Sequence, residues 1–218
     1  MGQRRANYED NYRQFLPEDL ESPILDLGCG QGDFVRYLSD LGYRNVTGVD
    51  RDADAISALN TVPGVTARTA LATANTIDQH PGGWALIIAK QMIYYFDRRD
   101  APSFVAALAQ SLAPDGRLIV EVFNGALLSS RFTELKDPGI FTAYTENGLQ
   151  RLLEQNGFTV EHLFGATSRR NGLRGQIYSV ARTLWFRLYR LLLIVERGWD
   201  DELPRISSKS IIAVARRR

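Results

Sequence analysis

The chain alternates short, largely apolar runs with longer stretches whose apolar residues recur every three or four positions. The runs at 24–27, 45–49, 65–68, 85–89, 117–123, 158–164 and 210–215 predict strands. Most of the first five are almost wholly apolar, as expected of parallel strands covered on both faces. The stretches 32–41, 52–60, 99–112 and 146–155 predict helices. Asp52 and Thr145 stand where an N-cap accepts backbone N–H bonds, and Gly157 stands where a helix stops. This alternation predicts an α/β fold, a doubly wound sheet with right-handed crossovers. One segment breaks the rhythm: 167–209 separates the sixth and seventh strands.

At 218 residues the chain has the length of one α/β domain. A single cysteine, Cys29, excludes an internal disulfide framework and gives no metal-ligand spacing. The first residues, MGQRRANYEDNYRQF, hold no apolar core of the kind a secretory leader needs, so a cytoplasmic enzyme is expected. The net charge of +1 hides an asymmetry. Residues 1–165 carry 14 Lys/Arg and 21 Asp/Glu, net −7, while residues 166–218 carry 12 and 4, net +8. Either the two parts attract each other, or the last quarter faces something negative.

The most informative stretch is ILDLGCGQGDF, from Ile24 to Phe34. Gly28, Gly30 and Gly32 follow a strand directly, so the main chain is free to lie close to a ligand beyond the strand ends. A dinucleotide fingerprint would have its third glycine at position 33, where Asp33 stands instead. Asp26, two residues before Gly28, suits a cationic amino-acid moiety better than a pyrophosphate. Asp50 ends the second strand in VTGVD, where one carboxylate can accept both hydroxyls of a ribose.

In these motifs the sequence resembles the class I S-adenosylmethionine-dependent methyltransferases. DLGCGQG resembles their first motif and TGVD their second; WALIIAKQMIYYF resembles the fourth-strand segment, and LAPDGRLIVEVFN the turn and fifth strand. The resemblance implies a single domain over 1–218 with a Rossmann-like seven-stranded sheet, its last strand antiparallel. S-adenosylmethionine is the implied cofactor. Asp26 then orients the methionine end, Gly28, Cys29, Gly30 and Gly32 form the loop beside it, and Asp50 and Arg51 hold the ribose side. Where relatives often carry an acid for the adenine amino group, this chain has Thr69 and Ala70. Lys90, just past the fourth strand, completes the cofactor set.

Methyl transfer from a sulfonium is an in-line displacement that gains most from alignment and exclusion of water. Gln91, Tyr95 and Glu121, at or near the ends of the fourth and fifth strands, are the expected catalytic residues. Glu121 is an acid amid Val120, Val122 and Phe123, where burial favours a base role. Tyr94, Asn124, Arg131 and Lys136 are expected to meet the acceptor. His80 and His162 read as surface and sheet residues rather than bases, and no metal is expected. The segment 125–144 resembles the substrate lid of bacterial methyltransferases encoded with polysaccharide biosynthesis genes, which implies a polar, hydroxylated acceptor.

The stretch 176–199 predicts a helix with an apolar stripe, Ile177, Val180, Leu184, Leu188, Leu191, Leu192 and Val195. Arg182, Arg187, Arg190 and Arg197 group on another side. It is too short and charged to span a bilayer. Core packing, an interfacial membrane contact and a homodimer contact are its three readings. No nucleic-acid-binding motif accompanies the arginines. The expected function is O-methylation of a hydroxyl on a glycan or other polar small molecule. The alternatives are a natural-product N- or C-methyltransferase and a non-catalytic S-adenosylmethionine-binding module.

Overall fold

The computed structural model describes residues 2–73, 77, 80, 82–168, 173–200 and 202–218, without the side chains of 173 and 174. Its elements run α1 (Gly2–Tyr12), β1 (Ile24–Leu27), α2 (Asp33–Asp40), β2 (Val46–Asp50), α3 (Ala53–Ser57), β3 (Val65–Thr69) and β4 (Trp84–Lys90). They continue with α4 (Ala101–Ser111), β5 (Leu112–Phe123), α5 (Ser130–Lys136), α6 (Glu146–Gln155), β6 (Phe158–Gly165), α7 (Leu173–Arg197) and β7 (Ser210–Arg217).

The seven strands form one sheet in the order β3-β2-β1-β4-β5-β7-β6. β7 runs antiparallel between β5 and β6, and the β1–β5 pairings are parallel. The expected fold class, with its antiparallel last strand and a helical insertion before it, is the one observed. Successive strand residues feed opposite faces, so Leu25 and Leu27 enter one core while Ile24 enters the other. The first core packs α4 and α6 through Phe104, Leu108, Leu149 and Leu153. The second packs α1 and α2 through Tyr12, Phe34, Tyr37 and Leu38. Each such side chain contributes about 1.5–3 kcal/mol by leaving water.

The expected caps are in place. Asp52 accepts from the N–H groups of Asp54 and Ala55, Thr145 accepts from Gly148, and Gly157 sits at φ +97° past α6. Helix α3 ends at Ser57, short of the expected residue 60, because the chain turns back through Pro63 and Gly64 toward β3. Two helices carried no periodic signal. α1 (GQRRANYEDNY) is polar nearly throughout and gains its helix from tertiary contact: Tyr8 meets Phe34 and Tyr37, and Tyr12 meets Phe34. α5 lies within the expected lid and buries none of its residues.

Helix α7 overturns the core-packing reading of its stripe. The face toward the domain holds Arg182, Phe186, Tyr189 and Arg190, while Ile177, Val180, Leu184, Leu188, Leu191, Leu192 and Val195 are exposed. Among the described residues, no helix is long and apolar enough to cross a membrane.

Candidate active site

Strand order reverses between β1 and β4, and the ends of these strands open onto the crevice where an open α/β sheet takes its ligand. The glycine loop after β1 has turned its N–H groups inward. Gly28 and Cys29 donate to the Val49 carbonyl at 2.8 and 3.1 Å, Gly32 to the Cys29 carbonyl at 2.9 Å, and Gly30 to Asp50 Oδ2 at 2.7 Å. A loop so engaged is a poor phosphate cradle, since anion nests need free N–H groups. Its glycines have separate reasons. A Cβ on Gly32, at φ +74°, would lie 2.1 Å from the Leu59 side chain, so this glycine seats the loop on the helical layer. Gly30, at φ +51°, has open space where a Cβ would stand and leaves room for a ligand.

Asp26 lies beneath this loop, 2% exposed, and its carboxylate accepts no side-chain hydrogen bond among the described residues. Burial raises its pKa to about 7, with Lys90 opposing the rise and Asp50 adding to it. A buried acid in this state is completed by a cationic ligand group. Cys29 faces Gly48, and burial with the charges of Asp26 and Asp50 pushes its thiol pKa upward, so it packs rather than reacts.

Two cavities flank the end of β4. The first, about 680 Å³, is bordered by Gly28, Asp50, Arg51, Ala70, Gln91 and Tyr95. Asp50 accepts from Gly30 and Asp52 and keeps further lone pairs toward the cavity. Arg51 stands over the Tyr95 ring at 5.9 Å. The Tyr95 hydroxyl donates to Asp137 at 2.7 Å, tying the first cavity to the 125–144 segment. Past β3 the cavity is lined by Ala70, Leu71, Ala72 and Thr73, while Thr69, the expected adenine neighbour, is exposed and outside the lining.

The second cavity, about 470 Å³, opens beneath α1 and α7 and contains Lys90 and Glu121, opposite each other across β4 and β5. The Tyr12 hydroxyl donates to Glu121 Oε2 at 2.5 Å, and Lys90 Nζ lies 3.6 Å from the same oxygen. The rings of Tyr8, Tyr12 and Phe34 surround the Lys90 ammonium at 5.1, 5.8 and 6.0 Å. Burial and the neighbouring Glu121 charge hold the Tyr12 pKa well above its usual value, so Tyr12 keeps its proton and donates it in the hydrogen bond. α1 is anchored here by Asn11, whose amide donates to Thr167 O at 2.9 Å and accepts from Thr167 N at 2.7 Å.

Gln91 joins the two cavities. It is the only non-glycine residue with positive φ (52°) among the described residues. Its backbone N–H donates to the Glu121 carbonyl at 2.7 Å, and its side-chain amide donates to Ser210 Oγ at 3.1 Å. Gln91 borders the first cavity and Ser210 the second, so this strained residue forms part of the wall between them.

The structure therefore gathers Gln91, Tyr95, Asp50, Arg51, Gly28 and Ala70 around the first cavity and Glu121 with Lys90 in the second. The expected acceptor residues are placed elsewhere. Asn124 is buried and spends its amide on the Ile206 and Ser208 carbonyls and the Ala126 N–H, clamping the entry to β7. Tyr94 packs edge-on against Phe123. Arg131 pairs with Glu134 on exposed α5, where Lys136 also lies, and none of these four borders either cavity. His80 lies against Trp84 and His162 against Phe15, both outside the two linings. The sequence reading missed Tyr8 and Tyr12, whose one signal is their i, i+4 spacing alongside Asn7 and Asn11.

A family model described as a methyltransferase domain matches residues 2–163, from the start of α1 into β6. The chain belongs to the methyltransferase-domain family. Among solved structures it is similar to an S-adenosylmethionine-dependent methyltransferase from Mesorhizobium loti, at 19% identity and TM-score 0.65, covering 97% of this chain and 98% of that one. A second, from Archaeoglobus fulgidus, matches at 16% identity and TM-score 0.67, over 97% and 93% of the two chains. Magnesium protoporphyrin IX methyltransferase from Synechocystis, solved with S-adenosylhomocysteine, matches at 17% identity and TM-score 0.62, over 100% and 84%. These likenesses share the fold of this methyltransferase. Among curated proteins none matches its sequence. The family match stops before α7 and β7, so Arg182, Lys209 and Ser210 of the second cavity lie outside it.

Proposed function

We propose that this methyltransferase O-methylates a hydroxyl of a glycan or other polar small molecule held in the second cavity. Its cofactor is S-adenosylmethionine, which when bound supplies an electrophilic methyl group on a sulfonium. The first cavity and the glycine loop beside it fit that molecule: Asp50 in the lining offers oxygens to ribose hydroxyls, Asp26 beneath the loop offers a buried carboxylate to an α-ammonium, and Gly30 leaves open space where a side chain would stand. Arg51 and Ala70 flank the nucleoside side.

The observation that carries the reading is the Glu121 group across the Gln91 wall. Glu121 would accept the proton of the acceptor hydroxyl as the hydroxyl oxygen takes the methyl carbon, the carbon–sulfur bond breaking to leave S-adenosylhomocysteine. Tyr12 orients the carboxylate through one oxygen, and Lys90 balances the charge. Tyr8 and Tyr12 close the site from above and exclude water. The 125–144 segment acts as the lid, coupled to the first cavity by the Tyr95–Asp137 hydrogen bond. Asn7, Asn11, Thr167, Ser179 and Ser210 in the lining suit a hydroxylated acceptor.

The same reading seats α7 on a membrane surface. Of the 17 large apolar side chains exposed on the described residues, 14 lie on the lid segment or in and just past α7. The Tyr189 hydroxyl joins these regions by donating to the Ala126 carbonyl at 2.9 Å. The apolar arc of α7 is wider than a two-helix seam, and Trp185 and Trp199 suit a boundary between apolar and wet phases. Arg182 and Arg190 turn toward the domain and Arg197 pairs with Asp200 at 3.3 Å, so on this helix the attraction to anionic lipid falls mainly to Arg187.

Methyl-labelled S-adenosylmethionine incubated with the protein and fractionated cell saccharides tests the reaction. Label recovered as alkali-stable O-methyl ether supports it. Label confined to amines or carbon, or binding of S-adenosylhomocysteine with no transfer to any fraction, overturns it.

A further inference from the structure

Among the described residues, the second cavity holds three cations, Lys90, Arg182 and Lys209, against the single acid Glu121. Lys90 is matched to Glu121. Arg182 and Lys209 form no ion pair among the described residues, and the Arg182 Nε is buried without a hydrogen-bond partner. Arg182 is half-buried, and an oxyanion that meets its guanidinium in place of water gains charge-assisted hydrogen bonds. Its planar fork matches a compact oxyanion, with a lysine ammonium as a second point charge.

We infer that the acceptor carries an oxyanion, a phosphate or carboxylate, bound by Arg182 and Lys209 in the cavity where Glu121 faces its hydroxyl. This rests on the second cavity being the acceptor site. Arg182 of α7 and Lys209 at the entry to β7 hold the charged group, while Glu121, Lys90 and Tyr12 meet the reacting end. A volume of about 470 Å³ has room for a molecule of sugar-phosphate size. Because α7 supplies the anion site on one face and the exposed apolar residues on the other, a lipid-borne phosphate and a soluble one share this chemistry.

Calorimetric titration of the S-adenosylhomocysteine complex with inorganic phosphate, acetate and short-chain phosphatidic acid tests the inference. At least one oxyanion is expected to bind, and Arg182→Gln and Lys209→Gln are each expected to weaken it about five- to tenfold. The affinity for S-adenosylhomocysteine stays unchanged, and Arg44→Gln, at an exposed arginine outside both linings, leaves oxyanion binding unchanged. Tighter binding of phosphatidic acid than of inorganic phosphate assigns the group to a lipid; equal binding assigns it to a soluble molecule. No binding of any of the three, or equal binding by Arg182→Gln, Lys209→Gln and Arg44→Gln, overturns the inference. Loss of S-adenosylhomocysteine binding in the unaltered protein would instead overturn the reading of the first cavity.

Discussion

The Tyr12 hydroxyl and Glu121 Oε2 lie 2.5 Å apart, joining the first helix of the chain to the fifth strand across 109 positions of sequence. This contact turns a strand acid into a held carboxylate facing a cavity, with Lys90 beside it.

Replacing Glu121 by Gln keeps the shape and removes the base. Turnover is expected to fall by about 10²–10⁴, with affinity for S-adenosylhomocysteine unchanged. Tyr12→Phe loses one charge-assisted hydrogen bond, about 1.5–3 kcal/mol, and is expected to lower turnover less. Steady-state rates set beside calorimetry separate the effects; parallel loss of rate and cofactor affinity would give Glu121 a structural role.

Asp50→Ala removes the carboxylate that both braces Gly30 and borders the first cavity. Affinity for S-adenosylhomocysteine is expected to fall roughly ten- to a hundredfold, the cost of about 1.5–3 kcal/mol in lost charge-assisted bonds. Titration calorimetry measures this directly, and an unchanged affinity contradicts the ribose assignment.

Asp26 makes cofactor affinity depend on pH. Its carboxyl in the free protein titrates near 7, so below that pH a cationic α-ammonium must displace a proton. Affinity for S-adenosylhomocysteine is expected to rise with pH through 7 and level off above it, and Asp26→Asn should weaken binding and remove this component. Stability of the free protein moves the other way. An unfolded Asp titrates near about 3.9, so between there and 7 the folded chain holds the extra proton. The stability this confers is full below that window and fades as pH rises through it. Melting curves from pH 4 to 8 of the protein and of Asp26→Asn measure that term.

The exposed face of α7 predicts sedimentation with anionic vesicles. Leu188→Ser and Leu191→Ser together remove about 2–4 kcal/mol of burial and are expected to release the protein without changing its melting temperature, since both side chains face solvent. Absence of vesicle binding, with a concentration-dependent dimer that the same changes abolish, would give this face to a second copy.

Strands, caps and glycine loop were legible because their signals are local: apolar runs, an Asp or Thr before a helix, an acid at a strand end. The lining past β3 and the second cavity were not. Thr69 stands one residue too early, because Ala70 and not Thr69 is where the chain leaves β3 toward the cavity. Asn124 has a polar side chain at a strand end, like a ligand residue, but its partners are carbonyls some 80 positions away. The α7 stripe reads as a core face by periodicity alone; which side meets the domain is decided by Phe186 and Tyr189 on the opposite arc. Tyr8 and Tyr12 sit in a polar helix with no apolar stripe, so only the fold reveals that they close a site.

A crystal structure with bound S-adenosylhomocysteine tests the central claim, transfer across the Gln91 wall, most directly. The account predicts adenosine beside Asp50 and Ala70, the α-ammonium on Asp26, and the sulfur at Gln91 with its open side toward Lys90 and Glu121. A sulfur directed away from the second cavity, or a ligand lodged in that cavity itself, would contradict it.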